Sequence, residues 1–314
     1  MKKLVTGLML CTFLVACGGT APFGGKTTDV DGEGDVAAIP EVLAGNLQSF
    51  TYNAANGTLS ISGIAGDGNA VNGAYLRSPT LDRPGYDAYS AQDASNGRHS
   101  TVYIRDIDGT SAVLVATGVQ YEHLYAGGAY TNAAYSPRVA PDSNDPNSGL
   151  VYYTGRYIGL LNGPGSNEDV TTPNPGEDPS VLTAQAAEVT GDVQITADFA
   201  TQNVDGIVYN RVVPDIDAAG NLDTNSANPL MAEDIALQGT AIATDGTFLG
   251  VAEQKNSSVG DYGGIFGGIG ATEVAGVVHV KDHISVISEE EEFGIFVLGE
   301  CEPPLSGPDC NLTP

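Results

Sequence analysis

The 314-residue chain carries 39 acidic against 12 basic side chains, a formal charge of −27, with 41 glycines and only 16% charged residues. A surface of that sign repels nucleic acid and anionic lipid headgroups, which excludes DNA and RNA as partners; it fits exposure to saline surroundings more simply than a dedicated calcium store. The length allows one large domain or two smaller β-domains, and beyond the first residues no segment approaches membrane-spanning length.

The chain opens MKKLVTGLMLCTFLVACGG: a basic start at Lys2 and Lys3, an apolar run from Leu4 to Val15, and small residues around Cys17. That is the layout of a secretory signal peptide over residues 1–16. The apolar run is well short of the roughly 20 residues a membrane-crossing helix needs. Leu14-Val15-Ala16-Cys17 resembles the lipobox of bacterial lipoproteins, in which diacylglycerol is attached to the cysteine thiol before cleavage. The resemblance implies lipidation of Cys17 and a membrane partner held through several acyl chains, each buried methylene contributing about 0.8 kcal/mol. Gly18 stands where an Asp would direct retention in the inner membrane, so an outer-membrane location, facing the cell surface, is expected. Cleavage takes 16 residues and two positive charges, leaving 298 residues and −29.

Residues 17–40 are rich in Gly, Asp and Thr without apolar periodicity, and read as a disordered tether. Asp29, Asp31, Glu33 and Asp35 alternate like the start of a calcium loop, but the glycine offset is wrong and no distal Glu follows. Of the four cysteines, Cys11 leaves with the signal peptide and Cys17 takes lipid. Cys301 and Cys310 are expected to pair in an oxidising compartment and pin the tail, residues 301–314.

From about Val42, short β-branched and aromatic stretches recur between Gly, Asn, Asp and Pro turns. Asn56-Gly57 between two such stretches is a hairpin signal. Further strands are expected at Ser100–Ile107, Ala112–Thr117, Val119–Tyr125 and Leu150–Ile158. After a Pro, Gly and Asn linker near 162–180 they resume at Glu188–Phe199, Val204–Val213, Asp234–Ala243, Thr247–Ala252, Val274–Val280 and Phe293–Leu298. Many short strands with dense turns indicate an all-β sandwich or barrel.

Three segments resemble the surface lipoproteins related to transferrin-binding protein B, a group that includes factor H-binding protein and haem or haemoglobin receptors. VYYTGRYIG, Val151 to Gly159, is similar to the strand that opens their C-terminal barrel. GDVQITADFATQNVDGIV, Gly191 to Val208, is similar to a barrel hairpin, with Asp198, Phe199, Val204, Gly206 and Ile207 at its characteristic places. YGGIFGGIGATEVAGVVHV, Tyr262 to Val280, is similar to the stretch before a late barrel strand, with Phe266, Gly267, Ala271, Glu273 and Gly276 matching in kind. The Pro-Asn of that stretch is absent here, and one residue is inserted between Phe266 and Ala271. The resemblance implies an eight-stranded antiparallel barrel over 150–300, closed by Glu292–Leu298, preceded by a β-rich, handle-like region over 41–149. It places Phe199 as a barrel plug and Asp198 as the cap of its turn. Gly206 and Gly276 are read as points of close backbone approach, and Glu273 as a structural acceptor in its glycine-rich turn.

Four histidines, His99, His123, His279 and His283, have no nucleophile-elbow or metalloprotease motif around them, so an enzyme is not expected. His279 and His283 sit where a strand runs into a turn, and no metal is assigned to them. On a strand, Tyr121, His123 and Tyr125 would share one face. Tyr and His are the usual ligands of haem or ferric iron in a β-rich receptor, and these three are the candidate ligand-binding residues. The alternative is a solvent-facing aromatic row on an edge strand. Asp215, Asp217 and Asp223, in a Gly and Asn rich loop, are a weaker calcium candidate. The expected function is non-catalytic capture of a ligand, whether haem, an iron carrier or another macromolecule; no cofactor is assigned, with haem or calcium possible. The other reading is a structural or assembly lipoprotein of the envelope.

Overall fold

A computed structural model describes residues 39–53, 56–64, 73–92, 94–118, 124–138, 149–178, 182–222, 228–301 and 310. The signal peptide, Cys17 and almost all of the expected tether lie outside them. Among the described residues no helix is long and apolar enough to cross a membrane. The only α-helix there is one turn, Glu41–Ala44 (α1).

Seven strands form a first sheet in sequence order: β1 Ser49–Asn53, β2 Thr58–Ser62, β3 Gly73–Arg77, β4 Asp87–Ala91, β5 Ser100–Ile107, β6 Thr110–Thr117 and β7 Ala126–Asn132. The expected Asn56-Gly57 turn joins β1 and β2, with Asn53 opposite Thr58 and Gly57 at φ +64°. A short β8 (Tyr135–Ser136) pairs in parallel with Gly268 and Ile269. The second sheet contains β9 Leu150–Pro164, β10 Ala186–Asp198, β11 Asn203–Asp217, β12 Pro229–Met231, β13 Ile235–Ala241, β14 Thr247–Gln254, β15 Ser257–Ile269, β16 Glu273–Lys281 and β17 Glu291–Gly299. β17 pairs with both β16 and β9, while β10 pairs with both β9 and β11, so eight antiparallel strands close into a barrel with β12 outside the circuit. The architecture is therefore all-β, an eight-stranded barrel beside a curled seven-stranded sheet, as the resemblance implied.

Period-two alternation divides the buried side chains of the barrel strands between two cores. On β16 and β17, Val274, Val278, Val280, Phe296 and Leu298 point into the barrel, whereas Ala275, Val277, Phe293, Ile295 and Val297 point outward against the first sheet. The outward set joins Phe50, Tyr89, Val102, Val113 and Val115 in one continuous core. Burying β6 on both faces explains why its sequence, TSAVLVAT, has no polar alternation.

The eight-strand circumference leaves just enough room for side chains. At one end Phe266 meets Phe199, Phe248 and Tyr153 at centroid distances of 5.2, 5.4 and 5.6 Å. Phe199 plugs this end from the β10–β11 turn, and Asp198 accepts the Ala200 N–H at 2.9 Å and the Thr201 hydroxyl at 2.7 Å. A Cβ on Gly206 would stand 2.5 Å from the Gln194 carbonyl, and one on Gly276 would stand 2.3 Å from Phe296. In the glycine-rich turn, Glu273 Oε2 is buried against Gly268 with no hydrogen-bond partner among the described residues.

Most of the strand expected at Val119–Tyr125, residues 119–123, lies outside the described residues. Tyr125 precedes β7, which is the small-residue run AGGAYTN. Its glycines fit because the chain is pressed against backbone. A Cβ on Gly127 would lie 1.9 Å from the Ala44 carbonyl, and one on Gly128 would lie 2.8 Å from Val277. Cys301 and Cys310 form a disulfide with Cα atoms 5.6 Å apart, and Cys301 N–H donates to the Tyr152 carbonyl at 2.8 Å.

Candidate functional site

Of the three residues expected to bind a ligand, Tyr121 and His123 lie outside the described residues. Tyr125 is half-buried, its N–H donates to Thr117 Oγ1 at 3.1 Å, and its ring lies 4.5 Å from the Arg98 guanidinium. That geometry is a cation–π pair. Beside it His99 is sealed from solvent, with Nε2 3.5 Å from Asp169 Oδ2; burial pushes its pKa down while Asp169 pulls it up. Leu124 and Ala126, flanking Tyr125, line a pocket of about 300 Å³ whose wall includes His279 and Phe293. Those two rings stack at 3.9 Å, and Glu291 accepts from His279 at 2.8 Å and from Lys281 at 2.9 Å.

A larger cleft, about 610 Å³, opens at the far end of β5, where β4 stops opposite Ile104 and the β5–β6 hairpin continues. Its walls are Tyr52, Tyr86, Arg83, Arg105 and three aspartates, Asp82, Asp87 and Asp106. Tyr86 forms the floor, donating its hydroxyl to the Arg156 carbonyl of β9 at 2.7 Å. The Arg105 guanidinium lies 5.7 Å from the Tyr86 ring. Arg83 reaches from the wall to Glu188 of β10 at 2.6 Å, and Tyr103 gives its hydroxyl to the other oxygen of that carboxylate. Arg77 holds Asp82 and Asp87 at 2.5 and 2.6 Å. The cleft is thus aromatic at its base and bears both signs of charge on its rim. Sequence reasoning missed it because its members come from β1, the β3–β4 connection, β4 and β5, and no motif joins them.

A second constellation lies inside the barrel, at the end opposite Phe199. Glu292 of β17 points inward and is fully buried; it accepts from Arg211 of β11 at 2.5 Å and from the Tyr157 hydroxyl at 2.6 Å. Burial pushes the Glu292 carboxyl up, but Arg211, His283 and Tyr157 together hold it down at about 2. His283 places Nε2 2.8 Å from Arg211 and 3.2 Å from Glu292, and Nδ1 3.0 Å from Glu290. Room for this cluster comes from Gly159, where a Cβ would stand 2.8 Å from Glu292, and Gly294, where one would stand 1.9 Å from the Tyr157 hydroxyl. His279 and His283 serve different sites because β16 ends at Lys281 between them. Asp217, the calcium candidate, accepts the Ala219 and Asn221 N–H groups at 2.8 and 2.9 Å, while Asp215 accepts that of Ser166 at 3.2 Å. Asp223 lies outside the described residues. Among the described residues no group of three or more His, Cys, Asp or Glu side chains is placed to hold a metal ion.

No protein-family model matches the sequence, and no curated protein does. Solved structures similar to this chain include a double mutant of transferrin binding protein B from Haemophilus parasuis Hp5, at 12% identity. That match covers 77% of this chain and 51% of that one, with a TM-score of 0.35. The isotype 1 transferrin binding protein B from serogroup B Neisseria meningitidis matches at 13% identity over 78% and 50% of the two chains, TM-score 0.35. HpuA from Kingella denitrificans, in complex with human haemoglobin, matches at 11% identity over 82% and 88%, TM-score 0.32. The chain spans about half the length of the transferrin-binding proteins it matches.

Proposed function

We propose that this chain is a non-catalytic lipoprotein, anchored through Cys17 in the outer membrane and facing outward, whose curled sheet captures a macromolecular ligand. The observation that carries the reading is where open space lies. The barrel interior is filled by the aromatic cluster around Phe266 and the charged cluster around Glu292, whereas the roughly 610 Å³ cleft belongs to the first sheet. A filled barrel makes a rigid platform; the sheet packed on its outer wall is left to recognise. Tyr52, Tyr86, Arg83 and Arg105 are the residue types that dominate binding energy at protein interfaces, and the mixed charges on the rim suit a polypeptide surface better than an apolar small molecule. The anchor motif and the resemblance at Val151–Gly159, Gly191–Val208 and Tyr262–Val280 support the same reading.

The test compares ligand retention from external fluid by the wild-type lipoprotein with retention by Tyr52→Ala and Asp106→Lys, and by Val251→Glu on the exposed barrel wall. Loss of retention by at least tenfold in the first two, with Val251→Glu unchanged, is expected. A Soret band in the purified wild type would identify haem as the ligand and move recognition to the Tyr121–Tyr125 segment. Retention unaffected by either cleft substitution would overturn the cleft as the site, and no retained ligand at all would favour a structural role in the envelope.

A further inference from the structure

The loop between β16 and β17, Asp282 to Glu290, covers the end of the barrel that holds the charged cluster. It is fastened at four places. Asn162 of β9 donates to the Glu289 carbonyl and accepts the Glu291 N–H, both at 2.8 Å. Ile284 and Ile287 pack onto the barrel core. Gly220, at φ +86°, comes so close that a Cβ there would stand 2.5 Å from the Val286 carbonyl. The fourth fastening is the His283 ring, fully buried between Glu290 of its own loop and Glu292 of β17. Glu290 also takes the N–H groups of His283 and Ile284, and its carboxylate lies 3.0 Å from the ring Nδ1 as an ionic contact without a hydrogen bond.

The groups facing the ring are Glu290 and Glu292, Arg211 from β11, and the Tyr157 hydroxyl from β9 through Glu292. With the ring protonated, two cations balance two carboxylates, at the cost of setting the Nε2 proton against the Arg211 Nη2 donor 2.8 Å away. With the ring neutral, Nε2 can only accept from Arg211, its contact with Glu292 loses the bridging proton, and one net negative charge is left in a sealed interior. Burying unbalanced charge is costly, and the cheapest relief is to admit water. The barrel strands are tied on both sides, whereas the loop is held by a few contacts, so water enters there.

We infer that the Asp282–Glu290 loop is a proton-operated lid on the barrel: it is closed while His283 is protonated and loosens when that proton leaves. Burial lowers the pKa of His283 and the neighbouring Arg211 charge lowers it further, but Glu290 and Glu292 together outweigh both and leave it raised. A raised histidine stabilises the closed form fully below its unfolded value of about 6.5 and loses that contribution as pH rises through the folded value. Loosening is therefore on the alkaline side. Acid opposes closure only when Glu290 and Glu292, both held below the ordinary carboxylate range, are protonated in turn.

The test is hydrogen exchange on the full chain, read by mass spectrometry in the peptide covering 282–290, with the His283 titration located by NMR. After correction for intrinsic exchange, protection of that peptide should be flat below about pH 6.5, fall by up to about tenfold per pH unit from there to the native His283 titration, and level off above it, as linkage to one proton requires. Peptides from Val274–Val280 should stay protected throughout. His283→Gln should abolish the step. If that variant does not fold, Glu290→Gln serves, and should move both the titration and the step to lower pH. A flat profile from about pH 6.5 through the native His283 titration, loss of protection spread through β16, or a step retained in His283→Gln would each overturn the lid.

Discussion

Replacing Arg211 with Met should destabilise the protein by about 3–5 kcal/mol, the usual cost of removing one partner of a buried ion pair. Both Arg211 and Glu292 have side chains at 0% exposure, so no solvent stands ready to take the missing partner's place. Glu292 would keep the Tyr157 and His283 contacts yet lose the guanidinium that does most to hold its carboxyl down. The sign of the pH dependence follows. In the wild type the Glu292 contribution is present above the ordinary value of 4.5 and is lost as pH falls toward about 2. In Arg211→Met, acid unfolding should therefore begin at higher pH. The double variant Arg211→Met/Glu292→Leu should be less destabilised than Arg211→Met alone, because it leaves no buried charge unpaired. Urea unfolding followed by far-ultraviolet circular dichroism gives all three values. A cost below about 1 kcal/mol for Arg211→Met, or a double variant no more stable than Arg211→Met, would contradict the pairing.

Phe266→Ala should cost about 3–5 kcal/mol, for a different reason: the loss of transfer energy plus the cavity left behind. Phe266 is fully buried and touches three other aromatic rings supplied by β9, β14 and the β10–β11 turn. Strands that hydrogen-bond around a closed barrel cannot move inward independently, so the space should stay open. Phe266→Leu should recover much of the loss, since it refills most of the volume. The same urea titration decides; a cost near zero for Phe266→Ala would mean that the aromatic cluster does not hold that end of the barrel together.

The parts of the fold legible in the sequence are those where alternation survives. Alternation bounds β5 to the residue as Ser100–Ile107, and it places β9, β10, β11, β16 and β17 within a few residues of their ends at one side or both, because one face of each carries β-branched or aromatic side chains. β7 and β15 were not read as strands because their glycines look like turn residues. Those glycines mark close approach, as at Gly264, where a Cβ would stand 2.4 Å from the Ala275 carbonyl. The Arg211–Glu292 pair was hidden by local irregularity. Val204 and Val208 point inward on β11, and strict alternation would put Asn210 inside. A register shift near Asn210, which sits at φ +51°, turns Arg211 and Val213 inward in its place. Glu292 was readable in principle, two residues before Gly294 and four before Phe296 on the inward face, but only once the barrel was accepted. The cleft at Tyr52, Tyr86 and Arg105 had no such signal, since it exists only where the β3–β4 connection folds back over β5.

The measurement that bears most directly on an outward-facing, lipid-anchored receptor is protease accessibility on intact cells, comparing the wild type with Cys17→Ser. The account predicts that external protease digests the wild-type protein while the outer membrane is whole, and that Cys17→Ser is released or mislocalised. Protection of the wild type until the outer membrane is broken would contradict surface capture and leave a protein that faces the periplasm.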